Sequence, residues 1–284
     1  AIKTNALSPI SSNDGSIVLD NGAASVVGTW TTASSATDKY GADYRYKGMG
    51  TGAAYLQYTP TIAVPKDYQI FEWHTQGGNR SAGTPHIVSY NGGTATININ
   101  QTANGGKWNL LGTFNMISGA AGYVRITDGF TDATQIAIAD AIKFLPVPSD
   151  IIMDNASASL VGSWTTGTSS TDKYGANYNY KGPGTGAASC QFVPNVAASG
   201  VYQVYEWHTA GANRAVDAKY RLNNGDTGAS QTFVINQTGS GGTWNLLGTF
   251  SFSQGTACTV SVVDNFTTGT VIVADAVKLV YVSQ

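Results

Sequence analysis

The segment Trp108-Asn109-Leu110-Leu111-Gly112-Thr113-Phe114 recurs letter for letter as Trp244-Asn245-Leu246-Leu247-Gly248-Thr249-Phe250. Each copy follows an Asn-Gln-Thr triplet (Asn100-Gln101-Thr102; Asn236-Gln237-Thr238) and a Gly-Gly pair (Gly105-Gly106; Gly241-Gly242). Such an identity marks internal duplication, so the 284 residues divide into two domains, each large enough to bury its own core. Further blocks match in the same order. Gly28-Thr29-Trp30-Thr31-Thr32 pairs with Gly162-Ser163-Trp164-Thr165-Thr166, and Asp38-Lys39-Tyr40-Gly41-Ala42 with Asp172-Lys173-Tyr174-Gly175-Ala176. The boundaries read as an unrepeated extension over 1–15, a first repeat over 16–145, a stiff connector over 146–149 carrying Pro146 and Pro148, and a second repeat over 150–284.

Strand character dominates both copies. Tyr68-Gln69-Ile70-Phe71-Glu72-Trp73-His74 and Tyr202-Gln203-Val204-Tyr205-Glu206-Trp207-His208 are rich in aromatic and β-branched residues, and Asn91-Gly92 and Asn224-Gly225 punctuate such runs as turns. Many short strands in a domain of this size predict an all-β chain of two tandem jelly-roll-type β-sandwich domains. In an extended strand Phe71 and Trp73 share one face with Gln69, and Tyr68, Ile70, Glu72 and His74 take the other.

Charged residues are only 11% of the chain, against roughly 25% in an average globular protein, and the formal net charge is -2. That balance excludes a nucleic-acid partner, whose phosphates demand clustered Lys and Arg. No apolar run reaches the length of a membrane-spanning helix, so no membrane insertion is expected. The start at Ala1-Ile2-Lys3-Thr4 reads as a mature end left by signal-peptide removal, and the expected location is extracellular or at the cell surface. Cys190 and Cys258 have no counterparts in the first repeat, and either a disulfide or two small buried hydrophobes fits them.

Taken together, the opening Asp-Asn (Asp20-Asn21; Asp154-Asn155), the Gly-x-Trp-Thr-Thr block, the aromatic strand ending in Gly-x-Asn-Arg, the Gly-Gly-x-Trp-Asn-Leu-Leu-Gly core and the closing Ala-Asp-Ala-Ile/Val resemble the golvesin/xanthan-lyase carbohydrate-binding-domain-like family. The resemblance covers both repeats. It implies jelly-roll modules of the kind appended to secreted bacterial enzymes and surface proteins, and no catalytic partner is expected within the two repeats. No cofactor is expected. The one metal that such modules would imply is a structural Ca²⁺ where the first and last strands meet, at Asp20/Asp140 and Asp154/Asp275; the low acidic density favours turn capping or pairing with Lys143 and Lys278 there.

The six tryptophans fall into three matched pairs, Trp30/Trp164, Trp73/Trp207 and Trp108/Trp244, and the last pair reads as core packing because leucines follow it. Phe71, Trp73, Tyr205 and Trp207 are the candidate contact residues for a sugar or a subunit, with Arg80 and Arg214 as clamps for a carboxylate. Glu72 and Glu206, the only glutamates, stand two residues before a His, the best general acid–base candidate in the chain. A local hydrogen-bonded pair is the simpler reading, and no nucleophile elbow, phosphate loop or zinc motif accompanies it, so no enzymatic activity is expected. Low charge, a rigid two-domain unit and an unrepeated N-terminal segment favour a secreted structural subunit that polymerises with copies of itself into a filament or matrix, residues 1–15 docking on a neighbour. The alternative is a tandem binding protein for an acidic polysaccharide.

Overall fold

The computed structural model describes residues 10–11, 15–225 and 228–283. The chain separates into two compact units, Ala1–Val147 and Pro148–Gln284. Both are all-β among the described residues apart from two single 3-10 turns, Asn21–Ala23 and Asn155–Ser157.

In the first unit, one antiparallel sheet runs Ile17–Asp20, Ala141–Pro146, Lys66–Trp73, Asn109–Met116. The short strand Ile10–Ser11 adds to its free edge, Ile10 opposite Val18. That part of the N-terminal extension therefore lies on the chain's own sheet. Residues 1–9 and 12–14, to which docking on a neighbour was also assigned, lie outside the described residues. The facing sheet runs Ser25–Val27, Tyr55–Tyr58, Tyr123–Thr127, Thr84–Tyr90, Gly93–Ile99, and a three-stranded sheet joins Ile136–Ala139, Tyr44–Gly48 and Thr31–Ala33. The second unit repeats these sheets, with Ile151–Asp154, Ala276–Ser283, Gly200–Trp207 and Asn245–Phe252 forming the counterpart of the first.

Alternation creates the core. Along Lys66–Trp73, Tyr68, Ile70 and Glu72 are buried while Gln69, Phe71 and Trp73 are half-buried on the opposite face. Tyr68, Ile70, Ile142, Phe144 and Leu111 meet Leu56, Tyr58, Val88, Val124 and Ile126 from the facing sheet. One irregularity matters for the site: pairing of Lys66–Trp73 with Asn109–Met116 skips Leu111, and the second unit skips Leu247 in the same way. At this bulge Leu111 and Leu247 turn inward, 8% exposed, whereas Leu110 and Leu246 stand out at 52% and 51%.

The repeated Asn-Gln-Thr triplet is explained by this frame. Gln101 is fully buried and holds the backbone of Ile138 from both sides, its Nε2 donating to the carbonyl at 2.8 Å and its Oε1 accepting from the amide at 2.8 Å. Asn100 closes a local turn by accepting from the Thr102 amide and hydroxyl. Gln237 does the same to Val273. Cys190 and Cys258 both lie buried in the second core, where burial pushes the Cys190 thiol up to about 12.

Candidate binding face

Each unit carries an aromatic cluster on the outer face of its first sheet. Trp73 packs edge-on against Trp108 (ring centroids 5.3 Å apart) and against Tyr40 (5.6 Å), and Tyr40 also touches Trp108 (5.2 Å). The cross-strand register sets Lys143 and Leu110 on either side of Phe71. The Lys143 ammonium lies over the Phe71 ring at 4.5 Å and over Trp108 at 5.1 Å. In the second unit Trp207, Trp244 and Tyr174 repeat the packing at 5.2–5.6 Å, with the Lys278 ammonium 4.9 Å from both the Tyr205 and Trp244 ring centres. Trp108 and Trp244 thus belong to this half-buried outer cluster and not to the core, because each precedes the bulge beside the outward-facing Trp73 or Trp207.

The rings are fixed in place. Trp73 Nε1 donates to the Asp38 carbonyl at 2.8 Å, while the Asp38 carboxylate accepts from the Gln76 amide at 2.8 Å. Gly105 lies against this junction so closely that a Cβ there would sit 2.5 Å from the Gln76 nitrogen and 2.7 Å from Asp38 Oδ2. The repeated Gly-Gly pair is therefore required by a close approach of three loops. Trp207 is held the same way, donating to the Asp172 carbonyl at 2.9 Å.

The Glu–His pairs point the other way. Glu72 and His74 are fully buried; His74 Nδ1 lies 2.9 and 3.0 Å from the two Glu72 oxygens, and its Nε2 lies 3.0 Å from the Ala103 carbonyl. Both ring nitrogens face acceptors, which requires both to carry protons. Burial opposes that charge, but the Glu72 hydrogen bond and charge, with the Ala103 carbonyl, raise the His74 pKa above its ordinary value. Glu206 and His208 are arranged alike, the latter reaching the Gly239 carbonyl at 2.8 Å. The surroundings differ: His86 in the first unit is replaced by Tyr220 in the second, whose hydroxyl donates to Glu206 at 2.8 Å. These pairs are closed to any substrate and tie a strand end to the neighbouring loop.

The arginines do not join the aromatic cluster. Arg80 donates to Asn79 Oδ1 and Thr75 Oγ1 and lies 5.9 Å above the Tyr44 ring; Arg214 lies 5.6 Å above Tyr178. Asp20 and Asp140 meet across adjacent strands, Ala141 pairing with Asp20. Burial pushes Asp140 up to about 8 and Asp20 up to about 6, and in the second unit Asp275 rises to about 7. Asp140 Oδ1 and Asn21 Oδ1 are buried without a partner among the described residues. The donor atoms are all oxygens, as a hard cation prefers. No three acidic, imidazole or thiol groups converge among the described residues, so a calcium ion would draw most of its shell from backbone and water. Lys143 and Lys278 lie over rings.

Fold and surface define a pair of β-sandwich modules, each with a rigid aromatic face. The chain belongs to the Golvesin C-terminal domain family, whose model matches residues 17–146 and again 151–281. It is 31% identical over 137 residues to a xanthan lyase from Bacillus sp. (strain GL1), covering 46% of this chain and 15% of that protein. It also superposes on the structure of Paenibacillus xanthan lyase with a TM-score of 0.64 and 27% identity, over 91% of this chain and 25% of that one. The chain therefore spans a quarter or less of the length of these relatives.

Sequence reasoning placed Phe71, Trp73, Tyr205 and Trp207 on one strand face, and the structure shows that face directed away from the core. It missed Tyr40, Trp108 and Lys143 with their counterparts Tyr174, Trp244 and Lys278. A signal was available: all six lie in matched blocks of the duplication.

Proposed function

We propose that this chain is a non-catalytic extracellular binding protein that holds an extended polysaccharide against the aromatic faces of its two units. The observation that carries the proposal is the occurrence of one rigid ring-and-lysine face twice in one chain. A repeating polymer offers the same group at many positions, so two equivalent sites on one chain gain avidity from it without any new kind of contact. Rings locked by hydrogen bonds and mutual packing lose little further entropy on binding. The half-buried rings supply apolar surface for sugar C–H groups, and Lys143 and Lys278 supply charge beside it. The relatives support this class of ligand, since the matched proteins are named as lyases of xanthan. The test is an NMR titration of the indole signals with a panel of neutral and acidic polysaccharides. Trp73, Trp108, Trp207 and Trp244 should respond to the same polymer while buried Trp30 does not; a panel in which no polymer moves these four overturns the proposal.

A second reading, a subunit of a self-assembling filament or matrix, is favoured by a separate observation. Leu110 and Leu246 extend the aromatic faces with aliphatic surface that a sugar does not need, Ile152 across from Lys278 is 45% exposed, and Val234 on the edge strand Ala229–Ile235 is 61% exposed. Electron microscopy of the concentrated full chain separates the two. Ordered polymers that Leu110→Lys with Leu246→Lys disperse favour assembly, and a dispersed monomer removes it.

A further inference from the structure

One feature of the second unit departs from its counterpart in the first. A cleft of about 410 Å³ is lined by Gly167, Ser169, Tyr178, Tyr180, Asn213 and Arg214. Arg214 is 9% exposed. Its Nε donates to the Thr209 carbonyl (3.4 Å), Nη1 to Asn213 Oδ1 (3.0 Å), and Nη2 to Ser170 Oγ (3.3 Å) and Thr209 Oγ1 (3.1 Å). Every acceptor is neutral, and no carboxylate of a described residue forms an ion pair with it. These acceptors use four of the five guanidinium N–H groups, which leaves one on Nη1, with the neutral Tyr178 hydroxyl beside the fork. A cation this deeply buried is ordinarily paired, so a charge without a counter-ion at the wall of a polar cleft is a standing attraction for an anion.

The repeats differ here. Gly167 stands where the first unit has Ala33, at the same register position opposite a tyrosine. A Cβ on Gly167 would lie 2.6 Å from the Tyr178 ring carbon bearing the hydroxyl, so only glycine lets the ring lie down over the strand. In that position the hydroxyl receives the Ser170 hydroxyl hydrogen at 3.3 Å and lies 3.5 Å from Ser169 Oγ. Although burial pushes upward, these serines and the charge and hydrogen bond of Arg214 draw the Tyr178 phenol below its ordinary value. The first unit has Ala36 at the place of Ser170, and there Arg80 leaves its Nε buried without a partner.

We propose that this cleft is an anion subsite, specific to the second unit, that takes the carboxylate of an acidic sugar residue on Arg214 Nη1. The Tyr180 ring serves as an apolar wall, and Asn213 and Ser169 serve as partners for ring hydroxyls. The volume suits one such residue. The contact is a single charge-assisted hydrogen bond, since Thr209, Asn213 and Ser170 already hold the rest of the fork. The sugar part of this assignment rests on the polysaccharide reading, whereas the anion part stands on the unpaired guanidinium.

The experiment is calorimetry on the full chain with a galacturonate trimer and its methyl ester, which differ in charge at the same sugar. The wild-type protein should prefer the acid form by about tenfold, less at high salt. Arg214→Gln should abolish the preference, Arg80→Gln should leave it, and Gly167→Ala, which carries the first unit's residue, should weaken it without removing the charge. A wild-type protein without preference, or a folded Arg214→Gln that keeps it, overturns the subsite. If Trp73→Ala with Trp207→Ala leaves trimer binding intact and Arg214→Gln removes it, the cleft stands and the aromatic faces fall. The reverse pattern sinks the cleft alone.

Discussion

Replacing His74 by alanine tests whether the Glu–His pairs are structural. The substitution removes an imidazole that touches Glu72 at 2.9 and 3.0 Å and the Ala103 carbonyl at 3.0 Å, all at 0% exposure for both side chains. Among the described residues, Glu72 then keeps only Asn109 Nδ2, at 2.8 Å, as a close donor. Removing one member of a buried pair costs about 3–5 kcal/mol, most of it the penalty of the charge left behind. For a unit of this size that is a fall of the melting midpoint on the order of 10 °C. The sign with pH follows from the raised pKa of His74: the pair's contribution is complete below about 6.5, the unfolded value, and is lost as pH rises through the higher folded value. Urea denaturation followed by tryptophan fluorescence at several pH values reads both effects, and His208→Ala should behave alike in the second unit. A His74→Ala protein with an unchanged midpoint refutes the reasoning. A variant that stays equally stable but loses ligand binding would return the pair to a functional role.

Two further outcomes follow from the same geometry. Asp140 is pushed by burial from 3.8 to about 8, so the folded state holds its proton more tightly than the unfolded chain does; stability is greatest below pH 4 in this respect and declines until pH 8, by at most about 6 kcal/mol. Asp140→Asn should flatten that decline in the pH dependence of the urea midpoint, and Ca²⁺ that raises the wild-type midpoint at pH 8 but not the variant's would place an ion there. Gly105→Ala should cost about 1–3 kcal/mol and broaden the Trp73 indole signal, because the added methyl enters the junction of Asp38 and Gln76. An unchanged indole signal would show that the loop does not position the ring.

Much of the fold was legible because the duplication states it twice and the strands alternate. Glu72 and His74 could be assigned a common face from spacing alone, and burial of Ile70 on that face makes it the inner one. Trp108 and Trp244 could not be placed in this way. The bulge that skips Leu111 breaks the period of two, so counting inward from Leu110-Leu111 puts the preceding tryptophan on the wrong side. Arg80 and Arg214 share a sequence neighbourhood with the aromatic strand, but the turn after His74 carries them to the Tyr44–Gly48 and Tyr178–Lys181 strands, where they lie over tyrosines. Tyr40 reaches Trp73 only because its loop folds over the end of the strand Lys66–Trp73, a tertiary contact for which strand alternation has no signal.

The aromatic faces are tested most directly by the doubly substituted chain Trp73→Ala, Trp207→Ala, in affinity electrophoresis through gels containing the polysaccharide that moves the indole signals. Each substitution empties the centre of one cluster while leaving Glu72, Glu206 and the inner faces untouched. Retardation should be weakened by either single change and lost in the double variant, with near-ultraviolet dichroism still reporting folded units. A folded double variant retarded as strongly as the wild-type protein contradicts the account.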